Sequence, residues 1–152
     1  MGRSGTESAD YDLSALATPA DLLHSVPLFA DLDDAELAQV AERFAEHTLP
    51  AGTTVTTEGQ RGARVLAFFV ILEGTAFVAK GGQEVATLGP SDHFGEIALF
   101  LDVPRTATVT ARTDLRCLAA SSWDFRPLLE EESPIAHRLL ATMAQRLYEA
   151  RR

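Results

Sequence analysis

The residues best suited to chemistry lie together in one segment, residues 94–109. Gly95 allows close backbone approach, and residues 96–101 are long enough for about one and a half turns of helix. The start of a helix exposes unpaired N–H groups and carries partial positive charge. Arg105, between Pro104 and a following strand-like stretch, offers a planar guanidinium that suits two phosphate oxygens. The segment therefore predicts a binding site for a small anion.

Glu96 narrows the chemistry of that anion. Its carboxylate would repel a bare phosphate, but an ionised carboxylate accepts hydrogen bonds from hydroxyl groups. A ribose joined to a phosphate offers both groups, so the segment indicates a site for such a ligand. Simpler interpretations remain open at this point. Arg105 would then pair at the surface with Glu96 or Asp102, Glu96 would be favourable charge at a helix start, and Thr106 would be a solvent-facing strand residue.

Other kinds of chemistry have weaker support in the sequence. His93 with Glu96 faintly resembles the metal motif of cupins, but that motif needs a second His two positions from the first, and it is missing. Cys117 is the single cysteine, which excludes an internal disulfide, and its apolar surroundings predict a buried, inert thiol. We therefore expect no metal site and no catalytic residue, with a cupin-like metal enzyme as the alternative.

The charge balance limits the partners. The 152 residues carry 13 basic and 22 acidic side chains, which gives a net charge of −9. Proteins bind nucleic acid largely through Lys and Arg that neutralise phosphates, and the basic residues here are scattered. Neither nucleic acid nor an anionic membrane surface is an expected partner. The sequence has no apolar run long enough to span a membrane and no apolar run typical of a secretory signal, which predicts a cytoplasmic protein.

Turn and periodicity signals predict the elements that position this segment. Residues 1–17 are small and polar and are predicted to be a flexible tail. Thr18-Pro19 predicts a short helix, which Pro27 ends. An acidic capping box at 33–36 predicts a second helix. Its buried face is expected to contain Leu37, Val40, Ala41 and Phe44.

The middle of the chain has the pattern of a β domain. Short runs rich in Val, Thr, Phe and Leu alternate with Gly and Pro turns, at about ten-residue spacing. The predicted strands are 53–57, 66–72, 75–80, 84–88, 106–111 and 115–120. They favour a small antiparallel sandwich or jelly roll. A short helix at 123–129 and a longer one from Ser133-Pro134 follow. The apolar stripe of the longer helix is Ile135, Leu139, Met143 and Leu147.

Residues 94–109 resemble the phosphate-binding cassette of the cyclic nucleotide-binding domains, a family that includes catabolite activator protein and the regulatory subunits of protein kinase A. The shared pattern is Phe-Gly-Glu, a short apolar helix, and Arg-Thr-Ala at 105–107. The likeness extends from about Leu22 to Arg152. It implies a mainly β fold with flanking α: an antiparallel jelly roll, or double-stranded β-helix, with N-terminal helices and a C-terminal two-helix lid. Residues 18–152 would be one such domain.

The family pattern assigns roles to the central residues of this segment. By resemblance, Glu96 would bind the ribose 2′-hydroxyl and Arg105 the cyclic phosphate. The N–H groups of Ile97 and Ala98 would lie around that phosphate, and Thr106 would add a hydroxyl. In the family, Thr after the Arg can also bond the amino group of guanine, whereas Ala there accompanies a preference for cyclic AMP (cAMP).

The resemblance implies further site residues around these. Three of them complete the cassette: Phe94, Gly95 and Ala107. Ala86 and Leu88 would form part of the apolar wall near the base. The base-contacting positions of the lid helix fall near Ala150 and Arg151, where the usual hydroxyl pair is missing, and Arg151 would stack on the purine.

The resemblance implies a sensor and not an enzyme. We expect it to bind cAMP in preference to cyclic GMP (cGMP), with no cofactor, and to move its lid on binding. The sequence stops after the lid helix, so we expect output to an unidentified effector protein or to a second copy through the C-terminal helix. A cGMP-preferring sensor and a relative without a ligand are the alternatives.

Overall fold

The order of elements places eight described strands between two groups of helices. A computed structural model describes residues 18–61, 66–130 and 133–151, so the predicted tail at 1–17 lies outside the described residues. The strands are β1 (Ala45–Leu49), β2 (Thr54–Thr56), β3 (Leu66–Glu73), β4 (Ala76–Lys80), β5 (Gln83–Leu88), β6 (His93–Phe94), β7 (Thr108–Ala111) and β8 (Leu115–Ser121).

The helices flank these strands in sequence, apart from one that interrupts them. The α-helices are α1 (Pro19–His24), α2 (Asp34–Ala41), α3 (Ser122–Phe125) and α4 (Pro134–Ala150). Short 3-10 helices cover Pro27–Phe29, Glu96–Leu99 and Arg126–Leu129. We call Glu96–Leu99 the cassette helix. No helix in the described part of the chain is long and apolar enough to cross a membrane.

Side-chain caps fix where three of the helices begin. The Thr18 side chain accepts a hydrogen bond from the N–H of Asp21 at 3.1 Å, at the start of α1. Asp33 and Glu36 form a reciprocal capping box at the start of α2. Ser133 caps α4 ahead of Pro134. These predicted helix starts are confirmed. Each cap accepts a hydrogen bond from an N–H group that has no partner within its helix.

The strands form two antiparallel four-stranded sheets, in the orders β1-β8-β3-β6 and β2-β7-β4-β5. β3 is buried on both faces, which explains its nearly continuous apolar sequence. Ile71 faces the second sheet, where it packs with Val109 and Ala111. Phe68 faces the helices, and its ring lies 5.9 Å from that of Phe29. The predicted class, an antiparallel jelly roll with flanking helices, is confirmed.

Several element boundaries differ from those predicted. β1 and β6 were not predicted, because each lacks a run of strand-forming apolar residues. The strand predicted at 106–111 begins only at Thr108, because the chain bends at residues 106–107 after Arg105 has paired through its backbone with Gly59 and Gln60. The helix predicted over 96–101 is the four-residue cassette helix. The helix at 123–129 is divided into α3 and a 3-10 helix, with Pro127 in the second part.

The apolar stripe of α4 is only half buried. Ile135 and Leu139 are 2% and 1% exposed, but Met143 and Leu147 are 36% and 57% exposed. The first half of α4 packs into the main core, whereas the second half borders an open cavity lined by Leu28, Ile97 and Phe100. The predicted apolar stripe is therefore buried only along the first two turns of α4.

Candidate functional site

The cassette is anchored to the first sheet through β6. Phe94 pairs with Phe69 of β3, and their rings stack with centroids 4.9 Å apart and planes 12° apart. His93 pairs with Val70 in the same register. The start of the cassette is therefore held on an interior strand that is buried on both faces.

Gly95 allows the cassette helix to begin directly against β3. It caps the helix with φ at 90°, a left-handed conformation that L side chains rarely adopt. A Cβ at this position would overlap the carbonyl oxygen of Ala67 and lie 3.0 Å from Nη1 of Arg105. Glycine is therefore required by backbone conformation and by space.

Arg105 is held from two directions. Its guanidinium donates from Nη1 to the carbonyl of Ala67 and from Nη2 to that of Leu66, both at 2.9 Å. Its main-chain N–H donates to the carbonyl of Gln60 at 2.9 Å, and its carbonyl accepts from the N–H of Gly59 at 2.8 Å. The side chain therefore has a fixed position between β3 and the loop that follows β2.

The positive charge of Arg105 has no protein counter-charge among the described residues. Their ion pairs include neither Arg105 with Glu96 nor Arg105 with Asp102, so the simple surface pairing is not found. Burial lowers the pKa of Arg105, but a guanidinium stays protonated in proteins. Because the described partners of this half-buried charge are neutral carbonyls, an anion that approached it would stabilise it further.

Glu96 lies between two nitrogen-bearing side chains. Nδ1 of His93 is 3.6 Å from Oε1, and Nη1 of Arg146, on α4, is 3.5 Å from Oε2. The pKa of Glu96 is lowered from its ordinary value, chiefly by the long polar contact with His93 and also by the charges of His93 and Arg146, against burial, which raises it. Glu96 is therefore an ionised hydrogen-bond acceptor at neutral pH.

One cavity of about 360 Å³ brings most of the predicted site residues together. This volume lies in the range of about 300–1,000 Å³ that is usual for small-molecule sites. The predicted residues that line it are Leu88, Phe94, Gly95, Glu96, Ile97, Ala98, Arg105 and Thr106. The cavity therefore offers an acceptor and a cation on neighbouring walls.

Three predicted site residues are not among those that line this cavity. Ala86 is exposed on β5, where it pairs with Val78, and Val78 does line the cavity. Ala107 precedes β7, and Arg151 is the exposed residue that ends α4. Ala98 lines the cavity, but its N–H donates to the carbonyl of Gly95 at 3.1 Å. This internal bond belongs to the short cassette helix.

His93 and Arg146 contact Glu96 and were not predicted as site residues. His93 was considered only as an incomplete metal motif. Arg146 comes from a helix fifty residues further along the chain, so no local pattern connects it with Glu96. It stands seven residues after Leu139, on the helix face that begins buried. A charged residue at that position is the sequence signal that could have indicated a polar partner.

The structure also bears on two other kinds of chemistry, a metal site and a reactive cysteine. The described residues contain no group of three His, Cys, Asp or Glu side chains that could hold a metal ion. Cys117 is fully buried on β8, and burial, together with the charge of Glu46, raises the pKa of its thiol to about 11. The thiolate, which is the reactive form, is therefore scarce at neutral pH.

Comparison with known proteins identifies the family. The model of the cyclic nucleotide-binding domain matches residues 46–132, which is more than half of the chain. The chain belongs to the cyclic nucleotide-binding domain family. Its matched region runs from β1 through β8 and the two short helices that follow it, and includes the whole cassette.

Relatives of this cyclic nucleotide-binding domain include regulatory proteins of several kinds. A cAMP-dependent protein kinase regulatory subunit of Yarrowia lipolytica is 40% identical over 109 residues, covering 70% of this chain and 28% of that protein. A cyclic nucleotide-gated potassium channel of Mesorhizobium japonicum is 35% identical, covering 82% and 34%. The chain thus spans about a third of the length of the curated relatives it matches.

The domain also matches solved structures. The N-terminal domain of a transcriptional regulator from Streptomyces coelicolor is 37% identical with a TM-score of 0.75, covering 86% of this chain and 94% of that one. The domain thus resembles parts of three different kinds of protein: a kinase regulatory subunit, a potassium channel and a transcriptional regulator. The likeness therefore establishes the fold and the family, and leaves the ligand and the partner to be proposed.

Proposed function

We propose that this chain is a cAMP sensor that regulates a separate effector, or a second copy of itself, through its C-terminal helix. The cyclic phosphate would bind to Arg105 and the ribose 2′-hydroxyl to Glu96, in the cavity of about 360 Å³. The observation that carries this proposal is the half-buried guanidinium of Arg105, which β3 holds in place and which lacks a described carboxylate partner. Binding, and not catalysis, is the proposed activity.

The energetics suit a small anionic ligand. A hydrogen bond to a charged group contributes about 1.5–3 kcal/mol net. Arg105 and Glu96 would each supply such bonds, one as donor and the other as acceptor. The net charge of −9 opposes anions at long range, but salt screens that field beyond about 8–10 Å. A local cation can therefore hold one small anion within an acidic protein.

The base preference is the second part of the proposal. The Yarrowia relative is named as a cAMP-dependent regulatory subunit, which supports cAMP. Thr106 supports cGMP as the second candidate, because it follows Arg105 directly and lines the same cavity. Its hydroxyl would be available to the amino group of guanine.

The proposed output begins at α4, which polar contacts tie to two parts of the fold. Arg138 donates to Glu36 of α2 at 2.9 Å, and Thr142 donates to Asp31 at 3.0 Å. Arg146, the next residue at a spacing of four, contacts Glu96. A ribose hydroxyl on Glu96 would change the third contact and leave the first two, so binding would alter how the second half of α4 lies.

The second half of α4 also offers a surface for a partner. Leu147 and Tyr148 are 57% and 63% exposed, and Leu140, seven residues before Leu147, is 65% exposed at the end of the first half. Exposed apolar groups this close together favour contact with another protein. Binding of an effector or of a second copy would then depend on the position of this helix segment.

Isothermal titration calorimetry with cAMP and cGMP tests the binding proposal. We expect saturable binding of cAMP, tighter than that of cGMP. Glu96→Gln should weaken cAMP but have little further effect on 2′-deoxy-cAMP, because that ligand lacks the hydroxyl that Glu96 accepts from. No binding of either nucleotide at low-millimolar concentration would overturn the function. An equal effect of Glu96→Gln on both cAMP forms would overturn the role of Glu96.

Hydrogen exchange tests the output separately. We expect cAMP to change amide protection in the second half of α4, residues 143–150, more than in the first half. Unchanged protection along all of α4 in saturated protein would show that the helix does not respond, while leaving the binding site intact.

A further inference from the structure

A second cavity, of about 340 Å³, shares Arg105 with the cavity described above. We call it the β2 cavity, because β2 and the loop after it form much of its wall, and we call the other the cassette cavity. Leu49 of β1 and Leu66 and Phe69 of β3 form its opposite wall. Its volume is in the range of about 300–1,000 Å³ that is usual for small-molecule sites.

A stacked aromatic pair and one guanidinium lie between the two cavities. Phe69 lines the β2 cavity and Phe94 lines the cassette cavity, and their rings stack with centroids 4.9 Å apart. Arg105 lines both, and it donates to the carbonyls of Leu66 and Ala67 at 2.9 Å each. A guanidinium has further N–H groups beyond these two, so Arg105 has donors left for a ligand.

The apolar wall of the β2 cavity is incompletely packed. Leu49, Val55 and Leu66 pack against the buried cluster that contains Phe69, yet each of the three remains partly exposed. An apolar chain in the cavity would remove the rest of their surface from water, which is favourable.

A β-bulge places Val55 in this wall. Thr54 pairs with Thr110 of β7, whereas Thr56 pairs with Val109, so Val55 is the extra residue on the β2 side. Bulges are frequent beside functional sites, where they change the direction of a side chain. The irregularity therefore coincides with the cavity.

Two cations border the β2 cavity, Arg61 and Arg105. Arg61 is exposed, and the ion pairs of the described residues include neither Arg61 nor Arg105. The described lining contains no acidic side chain. A guanidinium matches the geometry of a carboxylate, with two parallel hydrogen bonds. The cavity therefore combines an apolar wall with positive charge that suits a carboxylate.

We propose that the β2 cavity is a second ligand site, which binds a small carboxylate with an apolar chain. The carboxylate would bind to Arg61 and Arg105, and the chain would lie against Leu49, Val55 and Phe69. The cyclic phosphate of the proposed function would use the same Arg105, and two anions near one cation repel each other. Each ligand would therefore weaken the other by the same factor. Only this coupling rests on the proposed function.

Calorimetric titration of the nucleotide-free protein with sodium octanoate at about pH 7, where the carboxylate is ionised, tests the site. We expect saturable binding. Hexanoate should bind about tenfold or more weakly, because each buried methylene contributes about fourfold. Octan-1-ol, which has the chain without the charge, should also bind at least about tenfold more weakly than octanoate.

Two substitutions with matched controls locate the site. Val55→Phe fills part of the cavity and should weaken octanoate by about tenfold or more, whereas Val85→Phe, at an exposed position on β5, should not. Arg61→Gln should weaken octanoate by about tenfold and leave cAMP affinity unchanged. Arg112→Gln, which removes a cation on the surface of the second sheet, should not affect octanoate.

Methyl NMR of the wild type locates octanoate without any substitution. The signals of Leu49, Val55 and Leu66 should shift more than those of Val78 and Leu88, which line the cassette cavity. Shifts confined to Val78 and Leu88 would mean that octanoate enters the cassette cavity, and the proposal would be wrong.

The outcomes separate this site from the proposed function. No saturable octanoate binding at low-millimolar concentration, or equal affinity in wild type and Arg61→Gln, would overturn the second site and leave the function intact. Octanoate binding without cAMP binding would do the reverse. Where both bind, saturating octanoate should weaken cAMP by about fivefold or more. Unchanged cAMP affinity would overturn the shared use of Arg105.

Discussion

At the scale of single residues, the site depends on how closely Gly95, Ala67 and Arg105 approach one another. The carbonyl of Ala67 accepts from the guanidinium of Arg105 and also faces the α-carbon of Gly95. A side chain at Gly95 would therefore move both the cassette helix and the guanidinium. Stability and ligand affinity should depend on this one contact.

Three glycine substitutions separate backbone strain from loss of space. Gly89→Ala, with ordinary φ and open surroundings, should change the free energy of unfolding by no more than about 0.5 kcal/mol. Gly52→Ala, with φ at 89° and open space, should cost about 1–2 kcal/mol. Gly95→Ala should cost more than Gly52→Ala, and should also weaken cAMP by about tenfold or more. Chemical denaturation measures the series, and equal costs at Gly52 and Gly95 would contradict the close approach.

Cys117 gives a residue-scale prediction about reactivity. Its thiol is fully buried and its pKa is raised to about 11. Iodoacetamide at neutral pH should therefore label it very slowly in the folded protein and rapidly in denaturant, as followed by mass spectrometry. Rapid labelling of folded protein would contradict the packing of β8.

The sequence predicts the residues of this site better than their partners. Glu96 and Arg105 stand nine positions apart in one continuous pattern, so local chemistry and family likeness both point to them. The positions of His93 and Arg146 depend on tertiary contacts, of His93 with Phe68 and of Arg146, on α4, with Glu96. Such contacts between distant segments are invisible to periodicity.

At the scale of elements, α4 combines a buried first half with an exposed second half. Its repeat of apolar residues predicts one continuous packed face. The structure differs because the buried apolar face ends at Leu139. Polar contacts of Arg138, Thr142 and Arg146 hold α4 beside and beyond that point. A sequence pattern shows which face of a helix is apolar, but the length of the surface beneath it decides how much is buried.

Two leucine substitutions on α4 test this division. Leu139→Ala, at a position 1% exposed, should cost about 2–5 kcal/mol of stability through lost burial and a cavity. Leu147→Ala, 57% exposed, should cost no more than about 0.5 kcal/mol. Urea unfolding of the two variants beside the wild type is the measurement. Similar costs at both positions would mean that the second half of the helix is packed in solution.

At the scale of the whole molecule, Glu96 connects β6, the cassette helix and α4, so its ionisation should affect global stability. Its folded pKa lies below the ordinary value of 4.5, so the ionised form favours the folded state. That contribution is fully present above the unfolded pKa and is lost as pH falls through the folded one. The difference in unfolding free energy between wild type and Glu96→Gln should shrink from about pH 5 to about pH 3. A difference that stays constant over this range would contradict the contacts with His93 and Arg146.

The fold as a whole was predictable because turn residues punctuate its strands, and the fold class is confirmed. β1 and β6 escaped prediction because β1 has mixed polarity and β6 has only two residues, so neighbouring strands determine both. The same two-residue strand anchors the cassette. Local patterns thus predict the architecture, while a tertiary pairing sets the position of the site.

The most direct test of the central claim is the dissociation constant for cAMP of Arg105→Ala beside the wild type and Arg112→Ala. Arg112 pairs with Glu84 on the exposed surface of the second sheet, so it controls for the loss of one positive charge. We predict that Arg105→Ala weakens cAMP by about 10- to 100-fold, as expected for one charge-assisted interaction, and that Arg112→Ala binds like the wild type. If folded Arg105→Ala binds cAMP as tightly as the wild type, Arg105 does not hold the phosphate, and this account of the site is wrong.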